Sequence, residues 1–99
     1  MEKDFYEAMV MLDSNRDLNL TEVLDQLRAA CRITIVAVEG PAVALSAYKE
    51  QSKLRVKFMK TKQSVRDDLD DIKRSVHKID GIYSFRILKV KKVDFRGQL

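Results

Sequence analysis

The chain has 99 residues, of which 45% are hydrophobic and 34% are charged, and its formal net charge is +4. This size and composition fit one compact domain, predicted to span residues 1–99. No apolar run approaches the roughly 20 residues that a membrane helix needs, and the N-terminus has no signal-peptide pattern. Cys31 is the only cysteine, so no intramolecular disulfide can form, which is typical of a reducing compartment. We therefore expect a cytoplasmic protein with no membrane partner.

The charge is spread unevenly along the chain. Residues 1–31 carry 3 basic and 7 acidic side chains, a net charge of −4, whereas residues 32–99 carry 16 basic and 8 acidic ones, a net charge of +8. Such asymmetry has two interpretations. In the first, the acidic and basic segments of one domain, or of two subunits, attract each other. In the second, the chain attracts an anionic partner such as a nucleic acid. The first interpretation is favoured.

Residues 4–12 have an ambiguous pattern. Their composition suits a helix, but Tyr6, Ala8, Val10 and Leu12 also alternate with their neighbours as in a half-buried strand. A polar loop follows at residues 13–17. We favour the strand, because it completes a β-α-β-β-α-β order with the elements that follow.

A capped helix and a second strand come next. Asn19 is a suitable N-cap, and Glu22 stands where a capping box has its glutamate. Residues 32–38 are rich in β-branched side chains and predict a strand. The predicted inner face of the helix consists of Val23, Leu24, Leu27, Ala30 and Cys31.

The connection at residues 40–52 is long for a link between two strands. Long connections are often functional, and the apolar residues in this one argue against simple disorder. We expect either a two-stranded arm that extends the hairpin or a segment that packs on a neighbouring subunit. A third strand then follows at residues 53–59, where Leu54, Val56 and Phe58 alternate with more polar neighbours.

The clearest unit is a helix, a stop and a strand at residues 64–90. Ser64 with Asp67 resembles a capping box, and Gly81 is placed to end the helix in a left-handed conformation. From Ile82 to about Phe95 the apolar period is two, which predicts a long fourth strand. The helix has one apolar stripe, made of Val65, Leu69, Ile72, Val76 and Ile79.

Together these elements predict an α+β protein. In a β-α-β-β-α-β chain the two helices cover one face of a four-stranded antiparallel sheet, which is a ferredoxin-like sandwich.

Three groups of residues are candidates for chemistry, and none predicts catalysis. The D-D-L-D-D segment at residues 67–71 lacks the glycine turn and distal glutamate of a calcium loop, so a solvated helix face is expected. His77 stands alone near a helix end, without a nucleophile or relay in sequence. Cys31 ends an apolar stripe, which favours burial as a small hydrophobic residue. We therefore expect no enzymatic activity, metal, cofactor or small-molecule substrate.

The sheet face away from the helices is the predicted functional surface. Partly apolar open faces often form protein contacts, and a long edge strand can pair with a second chain. We therefore expect a small assembly module that self-associates through this face or edge, with a dimer favoured. The residues predicted for the interaction face are Met9, Met11, Val36, Val38, Met59 and Leu88.

The alternative interpretation is an RNA- or DNA-binding module that uses the cations of the same face. RNA-recognition-motif domains bind RNA on such a face, with exposed aromatic residues that stack bases. Here the third strand offers cations instead, which retains attraction for phosphate but not base stacking. The residues predicted to contact a nucleic acid are Lys53, Arg55, Lys57, Arg86, Lys89 and Lys91.

Parts of the chain also resemble small proteins of tailed bacteriophages, marine ones especially. Residues 19–28, N-L-T-E-V-L-D-Q-L-R, followed by I-T-I-V at residues 33–36, are similar to a helix and strand in that group. Residues 79–85, I-D-G-I-Y-S-F, are similar to its helix, stop and strand. The resemblance implies a ferredoxin-like fold and a phage origin, and hence a location in the host cytoplasm. It implies no particular activity.

Overall fold

A computed structural model describes residues 4–15, 17–40, 44–45 and 52–94 of the chain. The elements in these ranges are β1 (Phe5–Ser14), β2 (Leu18–Asn19), α1 (Leu20–Ala30), β3 (Thr34–Glu39), β4 (Ala44–Leu45), β5 (Ser52–Met59), α2 (Val65–Val76) and β6 (Ile82–Val93). The N-terminal segment is a strand, so the preferred reading of that ambiguous pattern is confirmed. Phe95, the expected end of the last strand, lies outside the described residues.

The four long strands form one antiparallel sheet in the order β3-β5-β1-β6. β1 lies inside the sheet, between β5 and β6, so its alternate side chains face the two sides of the sheet. Ala8 lies opposite Val56 on β5 and Val90 on β6, and these residues share one face. The predicted α+β architecture, with a four-stranded antiparallel sheet and two helices, is confirmed.

The core lies between that face of the sheet and the two helices. Helix α1 contributes Val23 and Leu27, and helix α2 contributes Ile72 and Val76, all of them buried. Phe58 of β5 is fully buried in the same cluster. Each such side chain stabilises the fold by about 1.5–3 kcal/mol relative to its exposed state. The stripe predicted for each helix therefore does enter the core.

Both predicted helix starts are confirmed. The Asn19 Oδ1 atom accepts a hydrogen bond from the Thr21 amide at 2.7 Å, and the Ser64 Oγ atom accepts one from the Asp67 amide at 3.1 Å. These caps satisfy amide groups that have no partner within the first helical turn.

The end of the second helix differs from the prediction. Helix α2 ends at Val76, and Ile79 is buried from the turn that follows rather than from the helix. Gly81 has a φ of 100°, the left-handed region that glycine tolerates, but it lies in this turn and not at the helix cap. The turn is fixed by the Asn15 amide, which donates to the Gly81 carbonyl at 2.7 Å.

Three β-bulges alter the alternation of the edge strands, one at Val36 on β3 and two on β6, at Tyr83 and Leu88. On β3, Ile35 lies opposite Phe58 and Ala37 opposite Lys57, so Val36 is an extra residue. On β6, Ile87 lies opposite Val10 and Lys89 opposite Met9, so Leu88 is an extra residue. Beyond each bulge, every side chain faces the side opposite to the one that strict alternation predicts.

The long connection is described only in part. Its residues Ala44–Leu45 pair antiparallel with Leu18–Asn19, directly before α1. At these two residues the connection therefore pairs with β2, the short strand before α1, and not with another part of the connection as a two-stranded arm requires. The rest of the predicted arm or subunit contact lies outside the described residues. Within the described ranges, no helix combines the length and apolar character that a membrane span requires.

Candidate functional site

The side of the sheet that faces away from the helices is called the open face here. It carries the β1 residues that alternate with the core residues Ala8, Val10 and Leu12, among them Glu7, Met9, Met11 and Asp13, and their partners across the sheet. Lys57 and Lys91 lie beside Glu7, Arg55 and Lys89 beside Met9, and Lys53 and Arg86 beside Met11. All six cations that the sequence predicts as nucleic-acid contacts therefore lie on one face.

These cations form two rows, one on β5 and one on β6, with β1 between them. Because adjacent strands are about 4.8 Å apart, the rows are about 10 Å apart. Five of the six cations are exposed, and only Lys57, at 9%, is buried. The open face is thus a strip containing Glu7, Met9 and Met11, bordered on both sides by positive charge.

Carboxylates offset part of the positive charge at one end of the open face. The Lys57 Nζ atom lies 2.7 Å from Glu39 Oε1, and the Arg55 Nη2 atom lies 3.5 Å from Glu39 Oε2. The hydrogen bond from Lys57 holds the pKa of Glu39 below its ordinary value. The Lys91 Nζ atom lies 3.8 Å from Glu7 Oε1. Three of the six cations therefore already have an anionic partner.

The other end of the open face has an excess of positive charge. Lys53, Arg86 and Lys89 are exposed, and no salt bridge among the described residues involves any of them. The Arg86 Nη2 group donates to the Met11 Sδ atom at 3.6 Å, so the guanidinium lies against the thioether. Asp13, opposite Ser84, borders this end of the face. We call the five residues Lys53, Arg86, Lys89, Met9 and Met11 the cationic end.

The apolar residues predicted for the interaction face divide into three groups. Met9, Met11 and Met59 lie on the open face, and Met59 is opposite Phe5 and Thr34. Val36 and Leu88 are each the extra residue of a bulge, and Leu88 is 38% exposed. The prediction for Val38 is wrong, because the bulge at Val36 turns it toward the core, where it lies opposite Val56 and packs on the buried cluster.

Sequence reasoning missed Glu7 and Glu39 as members of this face. Glu7 alternates with Met9 and Met11, so the period of β1 contained the signal needed to find it. Glu39 had no such signal. Strict alternation from Thr34 places it on the core side, and only the bulge brings it opposite Arg55.

The aspartate segment of α2 is only partly the solvated helix face that was predicted. Asp67 and Asp70 are exposed, but Asp68 is completely buried. Asp68 Oδ2 accepts from the Thr61 amide at 3.0 Å, while Oδ1 accepts from the Thr61 hydroxyl at 2.6 Å and from Gln63 Nε2 at 2.8 Å. The loop before α2 therefore folds back over the first turn of the helix and covers this carboxylate.

The neighbouring Asp71 shares the same loop. Gln63 Nε2 donates to Asp71 Oδ2 at 2.9 Å, and Arg74 forms a salt bridge with Oδ1. The hydrogen bond from Gln63, supported by Arg74, lowers the pKa of Asp71 below its ordinary value. These contacts join the loop to the helix and do not form a ligand site. Within the described ranges, no group of three or more acidic, cysteine or histidine side chains is arranged to hold a metal ion.

Cys31 and His77 lie apart from the open face. Cys31 is half-buried at the end of α1, and its thiol donates to the Ser75 hydroxyl at 3.0 Å. Burial raises the pKa of this thiol, which disfavours the reactive thiolate. His77 is exposed at the C-cap of α2.

Compared with models of protein families, with curated proteins and with solved structures, the chain has no match.

Proposed function

We propose that the protein is a small non-enzymatic module that binds nucleic acid through its open face. The observation that carries this proposal is the strand register that brings six cations onto one side of the sheet. Three carboxylates, Glu7, Asp13 and Glu39, accompany them, so the face has a net positive charge. Attraction between cationic side chains and phosphates supplies much of the affinity for nucleic acid without requiring sequence recognition.

Self-association is the second candidate function. It is favoured by β6, a strand of 12 residues at the edge of the sheet, whose outer side has no partner strand among the described residues. Lys89, Lys91 and the bulge at Leu88 weigh against it, since lysines and bulges are features that discourage edge pairing. Pairing two open faces would also bring like charges together, which costs free energy. Nucleic acid is therefore the favoured partner.

We also propose that the sandwich is ferredoxin-like. Across the sheet, the four long strands stand in the order second, third, first and fourth along the chain, with one helix after the first and one after the third. This order supports a β-α-β-β-α-β unit to which the short β2–β4 pair has been added. A phage origin, and with it the host cytoplasm, stays a prediction.

The binding proposal is tested with a fluorescently labelled oligonucleotide of mixed sequence, titrated with protein at several salt concentrations. We expect affinity to fall steeply as salt rises. Lys89→Glu should weaken binding and lower the slope of log affinity against log salt by about 1. The matched control is Lys73→Glu, which makes the same change of charge at an exposed position on α2.

Two results would decide against the proposal. One is an equal loss of affinity in Lys89→Glu and Lys73→Glu, since net charge alone would then explain binding. The other is no binding at low salt. Sedimentation equilibrium of the same protein, without oligonucleotide, tests self-association. If the protein dimerises, its average molar mass should rise from the monomer value to twice that value as the protein concentration increases.

A further inference from the structure

We infer that the open face takes single-stranded nucleic acid in preference to a duplex, and that the strand binds at the cationic end, with phosphates on Lys53, Arg86 and Lys89 and base planes against Met9 and Met11. This inference rests on the proposed function and specifies its ligand and its position.

The position follows from the distribution of carboxylates. A phosphate that approaches Arg55, Lys57 or Lys91 meets a cation that already has Glu39 or Glu7 beside it, and is repelled by that carboxylate. At the cationic end, Lys53, Arg86 and Lys89 form no salt bridge among the described residues, and the one carboxylate that borders these three cations is Asp13. The strongest attraction for phosphate is therefore around Met9 and Met11.

The two methionines give this end a surface that a duplex cannot use. Both are partly exposed, and they lie on β1 between the two rows of cations. A methionine sulfur makes favourable contacts with aromatic rings, and every base offers a ring face. The bases of a single strand can turn toward the methionines while its phosphates contact the lysines. In a duplex the base planes are stacked inside, so only the backbone is available.

The width of the surface also favours a single strand. The major groove of B-DNA is about 12 Å wide and admits a helix or a two-stranded ribbon. The sheet here has four strands, and its outer strands lie about 14 Å apart before side chains are counted. It therefore contacts a duplex only from outside the grooves.

Arg86 is already positioned for such a ligand. One of its Nη groups is directed at the Met11 sulfur. A guanidinium has five N–H donors in one plane, so the others remain available to a phosphate. The contact with Met11 thus holds the Arg86 guanidinium, which is proposed to bind a phosphate, beside the methionines that are proposed to contact the bases.

The first test compares one sequence as a single strand and as a duplex, at the same salt concentration, by fluorescence anisotropy. We expect the single strand to bind more tightly. Met9→Ala and Met11→Ala should each weaken single-strand binding by about 2- to 10-fold, the range of a sulfur–aromatic contact, and leave duplex binding unchanged. Met59→Ala is the matched control, since Met59 lies on the same face but outside the cationic end. Circular dichroism checks that each variant is folded.

A second measurement needs no substitution. In protein with ¹³C-labelled methionine methyl groups, addition of the single strand should shift the signals of Met9 and Met11 and not that of Met59. Equal affinity for single strand and duplex, with the methionine signals unmoved, would overturn the inference while the proposed function stands. A wild-type protein that binds neither form at low salt would overturn the proposed function itself. In a competition experiment, an acidic polypeptide should displace the labelled single strand less well than the unlabelled oligonucleotide does. Equal displacement by the two competitors would overturn the assignment to nucleic acid.

Discussion

Asp68 lies fully buried at the first turn of α2, although its neighbours Asp67 and Asp70 are exposed. A buried carboxylate is tolerated when hydrogen bonds replace the lost water, and here three donors from Thr61 and Gln63 do so. The N-terminal end of a helix also favours negative charge. Asp68 therefore fixes the loop before α2 onto the helix.

Asp68→Ala should lower the free energy of unfolding by about 1–3 kcal/mol, because the Thr61 amide and hydroxyl lose their acceptor in a partly buried position. Asp70→Ala, at an exposed position of the same helix, should change it by less than about 0.5 kcal/mol. Urea unfolding followed by circular dichroism measures both. If the two variants lose the same amount, the buried hydrogen bonds do not contribute as stated.

At the scale of the element, the bulges decide which side chains reach the open face. Strict alternation from Arg86 would turn Lys89 and Lys91 toward the core. The extra residue Leu88 returns both to the side of Arg86. On β3, the bulge at Val36 moves Glu39 to the open face and Val38 to the core. The bulges at Val36 and Leu88 therefore set the charge pattern of the candidate site.

Deletion of Leu88 should leave the fold intact, because Lys89 then follows Ile87 directly and keeps its place opposite Met9 without a bulge. We expect a cost of no more than about 1 kcal/mol, the typical value for a single change. Deletion of Arg55 is the contrasting variant. β5 pairs with β1 without a bulge, so removal of one residue reverses the direction of the side chains on one side of the deletion. Either Lys53 or Lys57 must then face the core, which costs several kcal/mol. Urea unfolding compares the two, and equal stability would contradict this account of the bulge.

At the scale of the whole molecule, some of the basic residues late in the chain form salt bridges with acidic residues near its start. Lys91 lies 3.8 Å from Glu7, and Lys92 Nζ lies 3.3 Å from Asp4 Oδ1, so the basic last strand pairs with the acidic first one. This supports attraction between segments of one domain, the interpretation that the sequence favoured. Lys53, Arg86 and Lys89, which form no salt bridge within the part of the chain that the structure describes, are the cations that support an anionic ligand.

The whole molecule should lose stability in acid. Glu39 and Asp71 have folded pKa values below their ordinary values of 4.5 and 3.8. Each therefore contributes stability that is fully present above its ordinary pKa and is lost as the pH falls through its folded pKa. The free energy of unfolding should decline below about pH 4.5.

Glu39→Gln is the variant that isolates one of these groups. It should be less stable than the wild type at neutral pH, because Lys57 and Arg55 lose their anionic partner. The difference should shrink as the pH falls through the folded pKa of Glu39, since the wild-type carboxyl then becomes neutral too. Urea unfolding of both proteins between neutral pH and acid provides the comparison. A difference that stays constant over this range would contradict the assigned cause.

The sequence by itself determined the elements and most of the core. The β-α-β-β-α-β order of the long elements, both helix caps and the apolar stripes of the helices follow from propensity and period, which depend on residues close together in the chain. The strand at residues 5–14 could also be predicted, because the alternation of its apolar residues indicates a strand although its composition suits a helix. Leu18, by contrast, is buried without having been predicted, because its strand pairs with a distant part of the chain at residues 44–45.

Only the tertiary structure decided which of the cations have a carboxylate beside them. That depends on register: Lys57 reaches Glu39 and Lys91 reaches Glu7 because β5 and β6 pair where they do, and because a bulge shifts β3 by one residue. A shift of one residue reverses the side that every following residue faces. No local pattern shows such a shift, since the hydrogen bonds that set it join strands far apart in sequence. The period of each strand could therefore be read from the chain, whereas the charge pattern of the open face required the paired sheet.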